Sequence, residues 1–386
     1  MTRNKNTDTP PTEEGDLLPP PPPKVVISGY YGFDNLGDEL ILSVLTDHLL
    51  EKGAEVTVLS ANPAATLRRH KVHAIHRMSV IDIVTALSQA DLFISGGGGL
   101  FQDASGPLSP WYYGAMVGLA RYFEVPVCFW GQGIGPLQYS ATEWITRFAL
   151  NCCMAISVRD EPSAQIVEHL TGQRPVVATD PVWLYDLPAP EASSNNLPEH
   201  HQMQSDKIWN IGVSLRPAAE LTPERIAQLA AFLKRYIDDS TRPVQFVLIP
   251  FHPEDDPPVL AELGRELTAL NAATFKIVEP HRVSDALQQC HVLFGMRFHS
   301  ILLAALSDVA VYGLIYDPKV RQLLKQLGLQ GSEVSQFDQL NVENIRHYFQ
   351  RYPAPDLTPL RKQARANLDI LDQSLENALP EMPMLR

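Results

Sequence analysis

The sequence predicts an α/β protein with two doubly wound domains in tandem that face a central cleft. From Lys24 onward, short apolar runs alternate with segments of helical periodicity, a pattern typical of parallel sheets covered by helices on both faces. The alternation is interrupted once, by a segment rich in Pro, Ser, Asn and His, and then resumes. Because ligands of such sheets bind outside the carboxyl ends of the strands, we expect the ligand site in the cleft.

Five segments follow from this pattern. Residues 1–23 are polar and end in a proline run, so we expect a disordered tail. Residues 24–186 form the first domain, and 187–206 form a linker or long loop. Residues 207–352 form the second domain. Residues 353–386 are predicted to be helices that pack back on the first domain.

Each predicted strand is a short apolar run, and each predicted helix repeats apolar residues every three or four positions. In the first domain, strands are predicted within KVVISGY, EVTVLS, DLFISGGGG, VPVCFWGQGIGP, AISVRD and PVVATDPV. Its helices are predicted at DELILSVLTDHLLEKG, VIDIVTALSQA, WYYGAMVGLARYF and ATEWITRFALNCC. In the second domain, strands are predicted within IWNIGVSLRP, PVQFVLIPFH, TFKIVEP, HVLFGMRFH and VAVYGLIYD, with a helix at PERIAQLAAFLKRYI.

Composition excludes several classes of protein. The chain has 386 residues, 45% hydrophobic, and a formal net charge of −13, which argues against general nucleic-acid binding. It contains no apolar stretch of the roughly 18–20 residues that span a bilayer, and its N-terminus lacks the order of a signal peptide. The four cysteines lie in apolar or helical stretches without metal-ligand spacing. We therefore expect a cytoplasmic protein with reduced thiols and no bound metal.

A glycine-rich turn, GYYGFDNLGDE, connects the first strand to the first helix. Asn35 is placed to cap that helix, and Asp38 and Glu39 fall in its first turn. These carboxylates could simply complement the helix dipole. They would repel a phosphate, however, and could instead accept hydrogen bonds from sugar hydroxyls or act as a base. Since the spacing also departs from G-x-G-x-x-G, a sugar acceptor is favoured over a dinucleotide.

Two further glycine clusters end strands of the first domain. SGGGGLFQD contains Gly97 and Gly98 in a run of four glycines, which permits close approach of a ligand or of the other domain, or a tight turn. In GQGIGP, Gln132 is flanked by glycines, so its amide could face the cleft. A plain strand-end turn explains that spacing equally well.

The second domain contains the more reactive set. In GMRFHS, Arg297 and His299 follow a predicted strand and would point to the same side if the chain is extended there. Lys319 in YDPKV and Arg216 in SLRP also lie at strand ends, as does Arg159 in SVRDEP, which could instead pair with its acidic neighbours. Cations from several strand ends can assemble an anion site. The stretch PFHPEDD is interpreted as a solvated loop rather than a metal site.

These landmarks, in this order, resemble the polysaccharide pyruvyl transferase family, and closely its CsaB type. The matching stretches are ISGYYGFDNLGDELIL, SGGGGLFQD, WGQGIGPL, SVRDEPS, ATDPVW, GVSLRP, GMRFHSILLAA and YDPKV. The resemblance implies a fold like that of GT-B glycosyltransferases, with two Rossmann-like domains. It also implies transfer of pyruvate from phosphoenolpyruvate to a sugar of a cell-surface polysaccharide precursor. In the CsaB type that sugar is a lipid-linked N-acetylmannosamine, and the product is a 4,6-linked ketal.

By motif, His299 would be the general acid, and Arg297 and Lys319 would bind the donor. An enol phosphate needs a proton at its methylene carbon, and imidazole is suited to that task near neutral pH. Phosphoenolpyruvate would be a co-substrate, so no cofactor is expected. A lipid-linked acceptor would imply transient contact with the inner membrane surface. The alternatives are a GT-B glycosyltransferase that uses a nucleotide sugar and a non-catalytic sugar-binding protein.

Overall fold

This computed structural model describes four stretches of the chain: 21–104, 106–188, 208–279 and 282–379. Nearly all of the predicted tail and of the predicted linker therefore lies outside the described residues. Within those four stretches, no helix is both long enough and apolar enough to cross a bilayer.

The first sheet contains eight described strands, which pair in parallel in the order β3-β2-β1-β4-β6-β7-β8, with β5 beside β6. They are β1 (Lys24–Ser28), β2 (Glu55–Ser60), β3 (His73–His76), β4 (Leu92–Ser95), β5 (Gly98–Phe101), β6 (Val127–Ile134), β7 (Ala155–Val158) and β8 (Val176–Val177). The helices between them are α1 (Leu36–Glu51), α2 (Pro63–His70), α3 (Val80–Leu87), α4 (Leu108–Tyr122), α5 (Ser140–Asn151) and α6 (Glu161–Thr171).

The second sheet contains six described strands in the order β11-β10-β9-β12-β13-β14, also parallel. They are β9 (Trp209–Ser214), β10 (Val244–Leu248), β11 (Thr274–Ile277), β12 (Val292–Gly295), β13 (Ala310–Ile315) and β14 (Gly331–Glu333). The helices are α7 (Pro223–Ile237), α8 (Asp256–Ala269), α9 (Val283–Gln288), α10 (Phe298–Leu306), α11 (Pro318–Leu327), α12 (Val342–Gln350) and α13 (Thr358–Ala378).

Both sheets reverse their strand order beside their first strand. The reversal lies between β1 and β4 in the first sheet and between β9 and β12 in the second. Such topological switch points open a crevice at the carboxyl ends of the strands, where ligands bind. The loops that face the cleft are therefore those after β1, β4, β9 and β12.

The two halves of the molecule contact each other directly. One continuous apolar cluster contains Ile27 and Ile41, from the half with the first sheet, together with Ile249 and Ile301, from the half with the second sheet. The backbone N–H of Leu36, at the start of α1, donates a 3.0 Å hydrogen bond to the carbonyl of Phe251. This contact fixes the first turn of α1 against the second half.

The C-terminal helix α13 lies on the first half of the molecule. Trp130 Nε1 donates to the carbonyl of Asn367 at 2.8 Å, and Asn367 Nδ2 donates to the carbonyl of Thr179 at 3.0 Å. Leu371, on the same helix, is fully buried in the shared apolar cluster. The helix therefore supports the segment that leads to Asp180.

The glycine run after β4 differs from the sequence prediction, which placed only a turn or a close approach there. Gly98–Phe101 forms β5 and pairs with β6. Glycines give no strand signal, so this strand depends on its neighbour rather than on local preference.

Candidate active site

The central residue of the candidate site is His299, which lies at the amino end of α10. The strand β12 ends at Gly295, Arg297 is the N-cap residue of α10, and His299 is its second helical residue. The chain is thus not extended through both residues. The expectation that Arg297 and His299 point to the same side is wrong, because the helix begins between them.

The imidazole of His299 reaches across to the first domain. Its Nε2 lies 3.6 Å from Asp180 Oδ2, which is ion-pair distance but too long for a direct hydrogen bond. Its other edge lies against α1, since a Cβ at Gly37 would be 2.1 Å from His299 Nδ1. The glycine in the first turn of α1 therefore makes room for a side chain of the opposite domain.

Asp180 is the carboxylate partner that sequence reasoning missed. It follows β8, is 2% exposed, and accepts a 3.1 Å hydrogen bond from the Val182 N–H. Burial favours its neutral form, but the nearby His299 and Arg159 outweigh burial and hold the pKa of the Asp180 carboxyl below its ordinary value. The stretch ATDPVW contributed to the family resemblance, but a lone Asp before a proline gave no catalytic signal.

Arg159 joins the same cluster from the end of β7. Its Nη1 lies 3.6 Å from Asp180 Oδ2, and its Nε lies 3.6 Å from Asp160. A Cβ at Gly133 would come within 2.6 Å of the guanidinium, so GQGIGP provides space for this arginine. The guanidinium carbon is 5.7 Å from the Phe298 ring centre, which connects it to the second domain.

The Arg297 side chain binds Asp256. Its Nε donates to Asp256 Oδ2 at 3.1 Å, and its Nη2 also donates to that carboxylate. Asp256 is fully buried and also accepts from the N–H groups of Phe251 and His252. The prediction of a solvated loop at PFHPEDD is wrong for Asp256, which holds Arg297 in place.

Two further predicted cations lie near this cluster. Arg216, after β9, donates to Tyr316 Oη at 3.0 Å.

Lys319, in the first turn of α11, lies 3.7 Å from Asp317, and its side chain is 44% exposed. Partial burial lowers the pKa of the Lys319 ammonium. Three arginines lower it further and thus lie within its electrostatic range: Arg159, Arg216 and Arg297. The four cations therefore form one positive region.

Asp38 supplies the acidic side of the cleft. It is 8% exposed, and a Cβ at Gly98 would lie 2.8 Å from its Oδ1. Among the described residues, none donates a hydrogen bond to this carboxylate. Burial and then the charge of Glu39 raise the pKa of the Asp38 carboxyl to about 7. Asp38 can therefore exchange a proton near neutral pH.

Glu39, the next residue, is engaged elsewhere. Its Oε1 accepts from the Gly32 N–H at 2.9 Å, and its Oε2 lies 2.8 Å from His70 Nε2. Burial opposes ionisation, but His70 and Gly32 outweigh it and lower the pKa of the Glu39 carboxyl. Asn35 caps α1 as expected and accepts from the Gly37 N–H at 3.3 Å. Both side chains thus shape the glycine-rich turn.

Two predicted acceptor residues lie in the interior. Gln132 is 0% exposed, and its Nε2 donates to the Ser95 carbonyl at 3.1 Å and also to the Gly96 carbonyl. The expectation that its amide faces the cleft is wrong, because the side chain joins β6 to the end of β4. Gly97 is buried, and a Cβ there would lie 2.8 Å from Ile41. Its small size serves internal packing.

No group of three or more His, Cys, Asp and Glu residues in the described stretches has the arrangement of a metal site. The residues brought together are an imidazole, carboxylates and several cations. This set can transfer protons and bind an anion beside a hydroxylated ligand.

Two parallel sheets with facing switch points define an α/β protein of the GT-B type. Solved structures agree in fold. UDP-GlcNAc 2-epimerase of Neisseria meningitidis has a TM-score of 0.59 at 13% identity, covering 92% of this chain and 100% of that one. A glycosyltransferase of Rickettsia africae has a TM-score of 0.57 at 11% identity, covering 92% of this chain and 98% of that one. The predicted fold class is confirmed.

The chain belongs to the polysaccharide pyruvyl transferase family, whose model matches residues 35–318. It is also similar to the amylovoran biosynthesis protein AmsJ of Erwinia amylovora, with 25% identity over 257 residues. That alignment covers 63% of this chain and 61% of the length of AmsJ. The family predicted from the sequence is confirmed, and the CsaB type stays a prediction.

Proposed function

We propose that this protein transfers the pyruvyl group of phosphoenolpyruvate to two hydroxyls of one sugar in a glycan, forming a ketal and releasing phosphate. Membership of the polysaccharide pyruvyl transferase family supports this reaction class. The observation that carries the proposal is the position of His299, which lies between the Asp180 carboxylate and Gly37 of the opposite domain. This position supports His299 as the proton donor, because substrates bound by the two domains would meet there.

The positive region is suited to the donor, which carries both a carboxylate and a phosphate. Within this region, the Lys319 side chain is exposed, and Arg216 donates to the neutral hydroxyl of Tyr316. We therefore assign both residues to direct contact with the anion. Arg297 has two donor groups fixed by Asp256, so we assign it a fixed charge rather than a free bidentate grip. Arg159 is shared between Asp180 and the donor.

The reaction begins with proton transfer from His299 to the methylene carbon of the enol phosphate. The resulting cation is stabilised by its oxygen substituent, and a sugar hydroxyl adds to the same carbon that bears the phosphate. The carbon–phosphate oxygen bond then breaks, and a second hydroxyl closes the ketal. Of the two hydroxyl protons, one restores His299 and the other leaves with the phosphate as hydrogen phosphate.

Asp38 is the proposed orienting group on the acceptor side. With a pKa of about 7, its carboxyl can accept a hydrogen bond from a sugar hydroxyl in either protonation state, while the hydroxyl protons pass to His299 and to the phosphate. The position of Asp38 beside Gly98, at the first switch point, supports this role. Glu39 and Asn35 support the turn that holds it.

The finer details remain proposals from the resemblance to the CsaB type. They are the phosphoenolpyruvate donor, an N-acetylmannosamine acceptor, its carrier lipid, and transient contact with the inner membrane surface.

The test is phosphate release from phosphoenolpyruvate by the purified protein, with and without a panel of N-acetylhexosamine glycosides. We expect acceptor-dependent release, and a product whose proton NMR spectrum contains a new methyl singlet. A nucleotide-sugar panel serves as the competing arm. Sugar transfer from a nucleotide donor, with no use of phosphoenolpyruvate across the glycosides, would replace this proposal with a glycosyltransferase.

A further inference from the structure

A second cluster lies at the carboxyl edge of the first sheet, outside the residues assigned above. Arg77 directly follows β3, and its backbone N–H donates to the Ser60 carbonyl at 2.9 Å. Its own carbonyl accepts a 2.9 Å hydrogen bond from Tyr112 Oη. The backbone at Arg77 is therefore fixed on the side where the strands of this sheet end.

The guanidinium of Arg77 lies among aromatic rings. Its carbon is 4.0 Å from the ring centre of Tyr112, 5.2 Å from that of Phe33 and 5.7 Å from that of Tyr113. Phe33 in turn stacks on Tyr30 at 4.2 Å. The rings orient the guanidinium, and the Tyr112 and Tyr113 hydroxyls lie close enough to interact with its N–H groups. A guanidinium has five N–H donors, so further donors are left for an anion.

No acid neutralises this arginine within the part of the chain that the structure describes. Arg69, in α2, pairs with Glu39 at 3.3 Å, whereas no ion pair of a described carboxylate with Arg77 is present. The residue is partly buried. A partly buried guanidinium without a counter-charge is costly unless a ligand completes it.

Buried hydroxyl groups connect this cluster to Asp38. Tyr113 is 3% exposed and Tyr31 is fully buried, and neither hydroxyl has a hydrogen-bond partner among the described residues. The charges of both Arg77 and Asp38 act on Tyr113. Tyr113 therefore contacts the unpaired arginine through its ring and lies within electrostatic range of Asp38.

Arg77 lies far along the first sheet from Arg159, the proposed donor cation that the same sheet carries. Five strand spacings separate β3 from β7, which carries Arg159, in the order of the first sheet. At about 4.8 Å per spacing, the two strands are about 24 Å apart. A ligand group at Arg77 therefore belongs to the acceptor rather than to phosphoenolpyruvate.

We infer that Arg77, Phe33 and Tyr112 form an acceptor subsite that binds an anionic group attached to the sugar whose hydroxyls face Asp38. The inference rests on the proposed function and names the acceptor class within it. The anionic group is a carboxylate on a neighbouring sugar or a phosphate ester at the anomeric carbon. Either group matches the in-plane donors of the guanidinium.

The test measures binding by calorimetry without phosphoenolpyruvate. The probes are an N-acetylhexosamine 1-phosphate, a disaccharide that contains a uronic acid, and a neutral methyl glycoside. Arg77→Gln is expected to weaken binding of at least one anionic probe about 10- to 100-fold, the range of charge-assisted hydrogen bonds. Binding of the neutral glycoside should change less than about 2-fold. The probe that responds identifies the source of the anion.

Matched variants keep the test decisive. Arg68→Gln removes an exposed arginine of the neighbouring helix α2. Its affinity for every probe should equal that of the wild-type protein. Arg77→Lys keeps the charge but loses the planar guanidinium. It should therefore weaken binding of the responding probe by a smaller factor than Arg77→Gln does. It replaces Arg77→Gln in the test if that variant does not fold.

Two results would overturn the inference. One is equal binding of the anionic probes by the Arg77 variants and Arg68→Gln. The other is a wild-type protein with no preference for either anionic probe over the neutral glycoside. Since phosphoenolpyruvate is absent, failure of pyruvyl transfer is a separate outcome.

Discussion

The two switch points share one strand order but carry opposite charge. At the first, the loop after β1 places Asp38 and Glu39 in the first turn of α1. At the second, the loops after β9, β12 and β13 place Arg216, Arg297 and Lys319 around the cleft. The comparison teaches that the topology provides the crevice, while loop residues decide which ligand it accepts.

The same contrast appears within a single turn. Asp38 and Glu39 are adjacent, yet burial and the charge of Glu39 raise the pKa of Asp38 to about 7, whereas His70 and Gly32 help lower the pKa of Glu39. One carboxyl can therefore exchange protons near neutral pH while the other stays ionised. Variants on each side of the cleft should separate donor chemistry from acceptor binding.

His299→Ala is expected to have the largest effect. Removal of the proposed acid should lower kcat by about 10²- to 10⁴-fold, the usual contribution of a positioned acid or base. The control is His169→Ala, which removes an exposed histidine of α6. Both variants should unfold at nearly the wild-type temperature. Near-normal turnover by His299→Ala would remove this residue from the mechanism.

Gly37→Ala tests whether the acceptor-side turn positions the donor-side acid. The new methyl would lie 2.1 Å from His299 Nδ1, so the ring must move. A displacement of about 1 Å can cost about 10²-fold in rate, although alanine favours the helix itself. Gly99→Ala is the matched control, because nothing lies within 4 Å of a Cβ at that position. Equal kcat values for the two variants would contradict the close approach.

Asp180→Asn tests the contact that joins the two sides. Asparagine keeps an oxygen for the Val182 N–H but loses the charge beside His299 and Arg159. We expect kcat to fall about 10-fold, because the charge that orients the His299 ring and holds the Arg159 guanidinium is lost. An unchanged kcat would assign Asp180 a purely structural role.

Asp38→Asn should have the smallest effect on kcat of these variants, and it should make the folded protein more stable at pH 8. The acceptor KM should rise by about 3- to 10-fold, with little change in the donor KM. Because the folded-state pKa of about 7 exceeds the ordinary 3.8, ionised Asp38 destabilises the fold increasingly from pH 4 to pH 7, and fully above pH 7.

Thermal and denaturant unfolding at two pH values checks this stability prediction. Asp38→Asn should be more stable than wild type at pH 8, by up to about 4 kcal/mol, and nearly equal to it at pH 4. A variant that is less stable at pH 8 would contradict the assigned pKa shift.

Local signals in the sequence predicted the fold class and the residues that follow strands directly. The run KVVIS, the N-cap Asn35 and the glycines of the first turn are all short-range features, and each lies where it was expected. The family was recognisable for the same reason, since its motifs are the loops at strand ends.

The partners of these residues were not predictable, because they are distant in the sequence. Glu39 binds His70, Arg297 binds Asp256, and His299 meets Asp180 only after the two domains come together. Gln132 was misjudged for a related reason. Flanking glycines indicate freedom of the backbone, but the packing of β4 beside β6 decides whether a side chain faces the cleft or the interior.

The central claim is that an acid in the cleft protonates the methylene carbon while hydroxyls add to its neighbour. The most direct measurement is the reaction in heavy water, followed by NMR of the purified product. The account predicts a ketal whose methyl group carries one deuterium, formed together with phosphate. A product that retains the methylene group as a vinyl ether, or a methyl group without deuterium, would contradict it.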